Sequence, residues 1–112
     1  MFQAPRGTTD ILPEDQPYWD NVMAAVRHIG SQFGYSRIDT PIFENSELFK
    51  KPLGEFSDVV LKEMYSFQDR NQTSLTLRPE YTIPMIRASI TNNLLNYLPV
   101  KLFGLGAMFR RE

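Results

Sequence analysis

The sequence contains no cysteine, which excludes disulfide bonds and zinc–thiolate sites within its 112 residues. Its 12 basic and 13 acidic residues leave a net charge of −1, so no polybasic surface for nucleic acid or an anionic membrane is expected. No apolar run approaches the ~18 residues that a membrane helix needs, and the first residues lack the regions of a secretory signal. These absences predict a cytoplasmic protein without a membrane segment.

Recognisable catalytic motifs are also absent. The sequence has no glycine-rich phosphate loop, no dinucleotide fingerprint, no metal-ligand pair and no nucleophile–base pair at a known spacing. The single histidine, His28, has no carboxylate or second histidine near it in the sequence, and we assign it no chemistry. What remains is a binding or positioning site built from arginine, glutamate and threonine.

The hydrophobic content of 42% and the charged content of 22% are typical of one folded domain. Apolar periodicity predicts one helix over residues 15–33, ended by Gly34, and a second from after Thr82 to Pro99, with Pro84 in its first turn. Aromatic and β-branched residues predict a strand over residues 35–43. Alternation predicts strands over residues 64–68, 73–77 and 100–109, and the first two of these form a hairpin. Pro41 would make the strand over residues 35–43 an edge or a bend.

Residues 75–82 (LTLRPEYT) are the stretch around which the rest of the chain is arranged. Pro79 ends a strand because it has no N–H to donate, and it leaves Arg78 and Glu80 flanking the transition to a helix. Charges beside a buried sheet are costly unless they are paired or used. One interpretation is an Arg78–Glu80 ion pair, with Thr82 as the helix cap. The other is that Glu80 and Thr82 present oxygens to a cationic or amine-bearing ligand.

The last predicted strand carries two glycines on one face. Gly104 and Gly106 leave room there for something to approach the backbone closely. The chain then stops on Arg110, Arg111 and Glu112 without a turn or a partner strand. That ending indicates a fragment of a longer protein.

Five segments, in order and at family spacing, resemble the N-terminal part of the catalytic domain of histidyl-tRNA synthetases, which are class II aminoacyl-tRNA synthetases. The resemblance implies an α+β fold, in which an antiparallel β-sheet is flanked by helices. It covers nearly the whole chain, and one such segment alone would be a weak signal. The segments are residues 6–13 (RGTTDILP), 34–41 (GYSRIDTP), 62–67 (KEMYSF), 77–82 (LRPEYT) and 108–112 (MFRRE).

The resemblance places two family motifs in the chain, so residues 1–112 are expected to be a partial class II catalytic domain. The family's first motif is a long helix joined to a strand with a key proline, and it forms the interface of a homodimer. Residues 19–43, with Pro41, match it. The second motif carries Phe-Arg-x-Glu on its first strand, which residues 109–112 match.

The resemblance also implies residue roles in histidine activation. Arg110 would contact the ATP α-phosphate and the histidine carboxylate, and Glu112 would lie near the adenine. Glu80 and Thr82 would hold the α-amino group of histidine, with Tyr81 between them in the same binding segment. The implied substrates are histidine, ATP with Mg²⁺, and tRNA(His). No protein nucleophile is required, because such reactions are catalysed mainly by positioning and charge stabilisation.

Two positions depart from the family pattern. Tyr81 stands where the family usually has glycine, and its phenol either crowds the amino-acid pocket or points outward. Ala107 stands where the family usually has proline. An altered pocket also fits the synthetase-like regulatory subunit of ATP phosphoribosyltransferase, a non-catalytic binding module, and this alternative stays open beside the ligase. A stand-alone structural domain without a ligand is a third hypothesis.

Overall fold

The computed structural model describes residues 1–97 and 99–111 of the chain. The chain divides into two compact units, Met1–Tyr35 and Ser36–Glu112. The predicted α+β class is confirmed, with an antiparallel sheet accompanied by helices. Within the described residues, no helix is long and apolar enough to cross a membrane.

The first unit is dominated by helix α1, Gln16–Gln32, which confirms the predicted long helix. Pro17 lies in its first turn, where a missing N–H costs nothing. Gly34 ends the helix with a φ of +77°, and the Tyr35 N–H reaches back to the Gly30 carbonyl at 2.7 Å. This is a Schellman cap, which a left-handed glycine makes inexpensive. The apolar side chains of α1 remain largely exposed within this unit, as Trp19 at 52% shows.

The second unit contains a three-stranded antiparallel sheet, whose strands are β2 (Phe43–Asn45), β3 (Ser66–Gln68) and β4 (Ser74–Leu77). The strand order is β2-β4-β3. The predicted hairpin is confirmed as β3 and β4, whose turn is held by the Asp69 carboxylate accepting the N–H groups of Asn71 and Thr73 at 2.9 and 3.0 Å. Because β4 is the central strand, the residue that follows it is held on both sides.

Two strand predictions were wrong in extent. Residues 35–43 do not form one strand: β1 (Ser36–Arg37) and β2 are separated by an irregular stretch around Pro41. Of residues 100–109, only β5 (Leu102–Phe103) is a strand, and it pairs with β1 in parallel. The apolar alternation was correctly observed, but the backbone donors beyond β5 bind elsewhere, as when the Phe109 N–H bonds to the Arg78 carbonyl at 2.9 Å.

Two further helices belong to the second unit. Helix α2 (Ser46–Leu53) is capped by the Asn45 side chain, which accepts the Glu47 N–H at 3.0 Å. Helix α3 (Thr82–Thr91) contains Pro84, as expected, but ends well before Pro99. It stops early because Asn93 adopts a left-handed conformation with φ +58°, which asparagine tolerates better than most residues.

Buried hydroxyl groups join α2 to the sheet. The Ser46 hydroxyl bonds to that of Thr76 at 2.7 Å, and the Ser66 hydroxyl bonds to Thr76 at 2.8 Å. Phe49 on α2 is fully buried beside them in the unit. A buried polar group is tolerated when it is hydrogen-bonded, so this network holds the middle of β4 firmly. The predicted site lies at the end of β4.

Candidate functional site

The candidate site is the turn around Pro79, where β4 ends and α3 begins. Pro79 is fully buried, and Arg78 before it is only 4% exposed. The Arg78 Nε donates to the Ala107 carbonyl at 2.9 Å, and its Nη1 donates to the Thr40 carbonyl at 3.2 Å. The Tyr81 ring lies against the guanidinium, 4.4 Å from Cζ to the ring centroid. Carbonyl oxygens and a π face therefore hold this buried cation.

Glu80 caps helix α3 and does not pair with Arg78. Its Oε2 accepts the Thr82 N–H at 2.9 Å, and its Oε1 accepts the Ile83 N–H at 2.8 Å. Among the described residues, none of the ion pairs within 4.0 Å involves Arg78. The interpretation of an Arg78–Glu80 pair with Thr82 as the cap was wrong, because the carboxylate satisfies the free N–H groups at the helix start.

Arg110 reaches the same turn from the other end of the chain. Its Nε donates to the Pro79 carbonyl at 2.9 Å, and Arg110 is an exposed residue. Glu80 is half-buried and Thr82 is exposed. The structure thus brings Glu80, Thr82 and Arg110 to one turn, although they are separated by up to 30 positions in the sequence. Pro41 is exposed between β1 and β2, and the prediction for Glu112 falls outside the described residues.

Tyr81 points inward. Its hydroxyl accepts the Thr40 N–H and donates to the Ile38 carbonyl, both at 3.3 Å. A Cβ placed on Gly104 would lie 2.7 Å from the Tyr81 Cζ, and one on Gly106 would clash with the Arg78 Nη2. The predicted close approach to these glycines is confirmed, but the approaching groups are the chain's own side chains.

An open cavity of about 420 Å³ lies elsewhere in the second unit. None of the residues predicted to bind histidine lines it. Across residues 1–97 and 99–111, no three acidic or histidine side chains converge as metal ligands. The residues that line the cavity are Lys50, Glu55, Phe56, Val60, Leu61, Met64, Ser66 and Arg111.

Sequence reasoning missed the partners of Arg78. It treated this arginine as a neighbour of Glu80, whereas its partners Thr40 and Ala107 are 38 and 29 positions away. The available signal was the pair of glycines at 104 and 106, which indicated a close approach without identifying the group that approaches. The capping role of Glu80 was also missed, because proximity in sequence favoured the ion pair.

Comparison with known proteins gives a consistent family. A sequence model described as histidyl-tRNA synthetase matches residues 7–112. The chain is 50% identical over its whole length to the histidine–tRNA ligase of Dehalococcoides mccartyi, and it spans 27% of that relative's length.

Solved structures give the same family. The apo histidyl-tRNA synthetase of S. aureus superposes with a TM-score of 0.83 at 37% identity, over 98% of this chain and 30% of that one. A Bacillus halodurans protein named as an ATP phosphoribosyltransferase regulatory subunit/histidyl-tRNA synthetase superposes with a TM-score of 0.80 at 26% identity, over 98% and 28%.

The contact between Tyr81 and Gly104 can be tested by a double-mutant cycle. Gly104→Ala should lower the free energy of unfolding by about 1–3 kcal/mol, because the new methyl group overpacks the ring. The same cost is expected in a Tyr81→Phe background, which keeps the ring. In a Tyr81→Ala background the cost should fall to within about 0.5 kcal/mol. Urea unfolding of the chain measures all three, and equal costs in every background would contradict the contact.

Proposed function

This chain belongs to the histidyl-tRNA synthetase family, and on that basis we propose that it is the N-terminal part of the catalytic domain of a histidine–tRNA ligase. Such an enzyme joins histidine to ATP as histidyl-adenylate and then transfers the histidyl group to tRNA(His). The observation that carries the proposal is the gathering of Glu80, Thr82 and Arg110 at the Pro79 turn.

In the first step, a histidine carboxylate oxygen attacks the α-phosphorus of ATP and pyrophosphate leaves. Negative charge develops on the phosphate oxygens, and a guanidinium is suited to it because it is permanently charged and carries several donors in a fixed fork. The bond from the Arg110 Nε to the Pro79 carbonyl sets the orientation of that guanidinium. Arg110 would therefore orient the carboxylate and the α-phosphate together.

The amino group of histidine would bind at Glu80. Each of its carboxylate oxygens already accepts one backbone N–H. A carboxylate has about four lone-pair sites, so capacity remains for an ammonium group. Thr82 lies two positions after Glu80 and is exposed, and its hydroxyl would supply a further oxygen. Capping α3 also holds the carboxylate in place, which favours binding because less side-chain entropy is lost.

ATP would bring Mg²⁺ as part of the substrate. Mg²⁺ prefers oxygen ligands and is often held by substrate phosphates with only one or two carboxylates. The absence of a three-residue cluster in the described part of the chain is compatible with that arrangement.

A regulatory subunit of ATP phosphoribosyltransferase is the second candidate. Two observations favour it: Tyr81 fills the space in front of Gly104, and the similar Bacillus halodurans structure carries both names. Such a subunit would bind histidine or nucleotide without forming an adenylate. Histidine-dependent exchange of pyrophosphate into ATP by the full-length protein discriminates between the two, because only the ligase catalyses it.

Arg110→Ala in the full-length ligase should reduce the rate of adenylate formation by about 100- to 1,000-fold. Losing a donor to a developing phosphate charge costs roughly 3–4 kcal/mol. Histidine-dependent pyrophosphate exchange measures the rate, and Arg70→Ala in the exposed β3–β4 turn is the matched control. Exchange within tenfold of the parent would refute the role of Arg110.

Glu80→Gln should raise the KM for histidine by about 10- to 100-fold, because a charge-assisted bond to the ammonium is lost. The KM for ATP should change little, since ATP carries no ammonium. The glutamine oxygen can still accept one of the two backbone N–H groups that Glu80 binds, so one of the two cap bonds is kept. Steady-state exchange kinetics with Glu55→Gln as the control measure both constants. Equal changes in the two constants would make Glu80 a structural residue only.

The proposed homodimer uses the apolar face of α1, on which Trp19, Val22 and Ile29 are each more than half exposed. Exposed apolar side chains aligned along one helix face mark an interaction surface. Sedimentation velocity of the full-length ligase should show a dimer. Ile29→Arg should shift it to the monomer, whereas Ser31→Arg, on the opposite side of the same helix, should not. A dimer that survives Ile29→Arg would place the interface elsewhere.

A further inference from the structure

We propose that Arg78 is a positioning residue for Arg110, because its buried guanidinium anchors the backbone segment that carries Arg110. The proposal rests on the proposed function for what Arg110 does in the reaction. The anchoring itself is a property of the fold and can be measured separately.

The segment that carries Arg110 has no β-ladder among the described residues, since residues 104–111 form no strand. Its backbone must be held in another way, because unpaired N–H and C=O groups are costly when shielded from water. Arg78 supplies two anchors: its Nε donates to the Ala107 carbonyl at 2.9 Å, and its own carbonyl accepts the Phe109 N–H at 2.9 Å. The anchored groups belong to Ala107 and Phe109, which lie three residues and one residue before Arg110.

Arg78 is itself fixed from the opposite side. Its N–H donates to the Ile42 carbonyl at 2.9 Å, and its Nη1 donates to the Thr40 carbonyl at 3.2 Å and the Thr40 hydroxyl at 3.4 Å. With 4% exposure, the guanidinium cannot exchange these partners for water without rearranging its surroundings. One residue therefore ties the Thr40–Ile42 region to the backbone that leads into Arg110.

The anchoring depends on the shape of the guanidinium as well as its charge. A planar fork reaches the Ala107 and Thr40 carbonyls at the same time, whereas a lysine ammonium is a point charge on a flexible stem. Gly106 offers a second probe, because a Cβ there would meet the Arg78 Nη2. Gly106→Ala would displace the guanidinium while keeping its charge.

The first test is kinetic and uses Arg78→Lys and Gly106→Ala in the full-length ligase. Both should lower kcat for histidine-dependent pyrophosphate exchange by about a hundredfold, the effect of a misplacement of ~1 Å. The KM values for histidine and ATP should stay within about threefold. Arg87→Lys is the matched control, because Arg87 is a half-buried arginine outside this cluster, paired with Glu44 at 2.9 Å. It should lower the melting temperature without lowering kcat.

The second test follows amide hydrogen exchange by NMR in this 112-residue chain. In both variants the Phe109 amide should exchange at least about tenfold faster, while the Leu77 amide, bonded to the Tyr65 carbonyl at 3.0 Å, should keep its protection. Unchanged Phe109 protection in both variants would overturn the proposal. An unchanged kcat in both variants, in a ligase that Arg110→Ala inactivates, would overturn it too.

The two tests separate this proposal from the proposed function. If the unsubstituted full-length protein shows no histidine-dependent exchange, the ligase function fails, and hydrogen exchange alone decides whether Arg78 anchors the segment. If exchange is present and kcat stays unchanged while only the melting temperature falls, as expected for Arg87→Lys, Arg78 is structural and the positioning role is wrong.

Discussion

The arrangement of the second unit depends on one buried cation. Arg78 is 4% exposed and has no carboxylate within 4.0 Å among the described residues. Burying a charge is costly unless hydrogen bonds replace the lost water. The carbonyls of Thr40 and Ala107 and the face of Tyr81 supply that replacement. Satisfying one guanidinium therefore brings three distant parts of the chain together, and the Pro79 turn lies where they meet.

The same turn links helix capping to the proposed ligand binding. Proline ends β4 because it cannot extend a ladder, and the next residue, Glu80, satisfies the first N–H groups of α3. Arg110 then binds the carbonyl of Pro79. A carboxylate and a guanidinium are thus held near one another by bonds to backbone groups instead of by a salt bridge. In the proposed function, these are the opposite charges that would bind a zwitterionic amino acid.

The elements with strong local signals were predicted well. Helix α1 and its Gly34 cap follow from an apolar period and a residue that adopts positive φ at little cost. The β3–β4 hairpin follows from alternation around a polar turn that contains Asp69 and Asn71. The predictions failed where a strand needs a partner: residues 35–43 have the composition of a strand and residues 100–109 alternate, but only short stretches of each pair with another strand, as β1 and β5 do. Alternation of apolar residues indicates which face of a strand is apolar, whereas the pairing of that strand with another depends on the rest of the fold.

By itself, the sequence determined the family, the class of fold and the identity of the candidate residues, because ordered motifs and periodic patterns are read along the chain. Only the tertiary structure decided which groups those residues contact. Arg78 bonds to Thr40 and Ala107, 38 and 29 positions away, and Tyr81 turns inward to Ile38, 43 positions away. The physical reason is that a hydrogen bond depends on distance and direction in space. Spacing along the chain could place Arg78 beside Glu80, but it could not show that the carboxylate was already engaged by the helix.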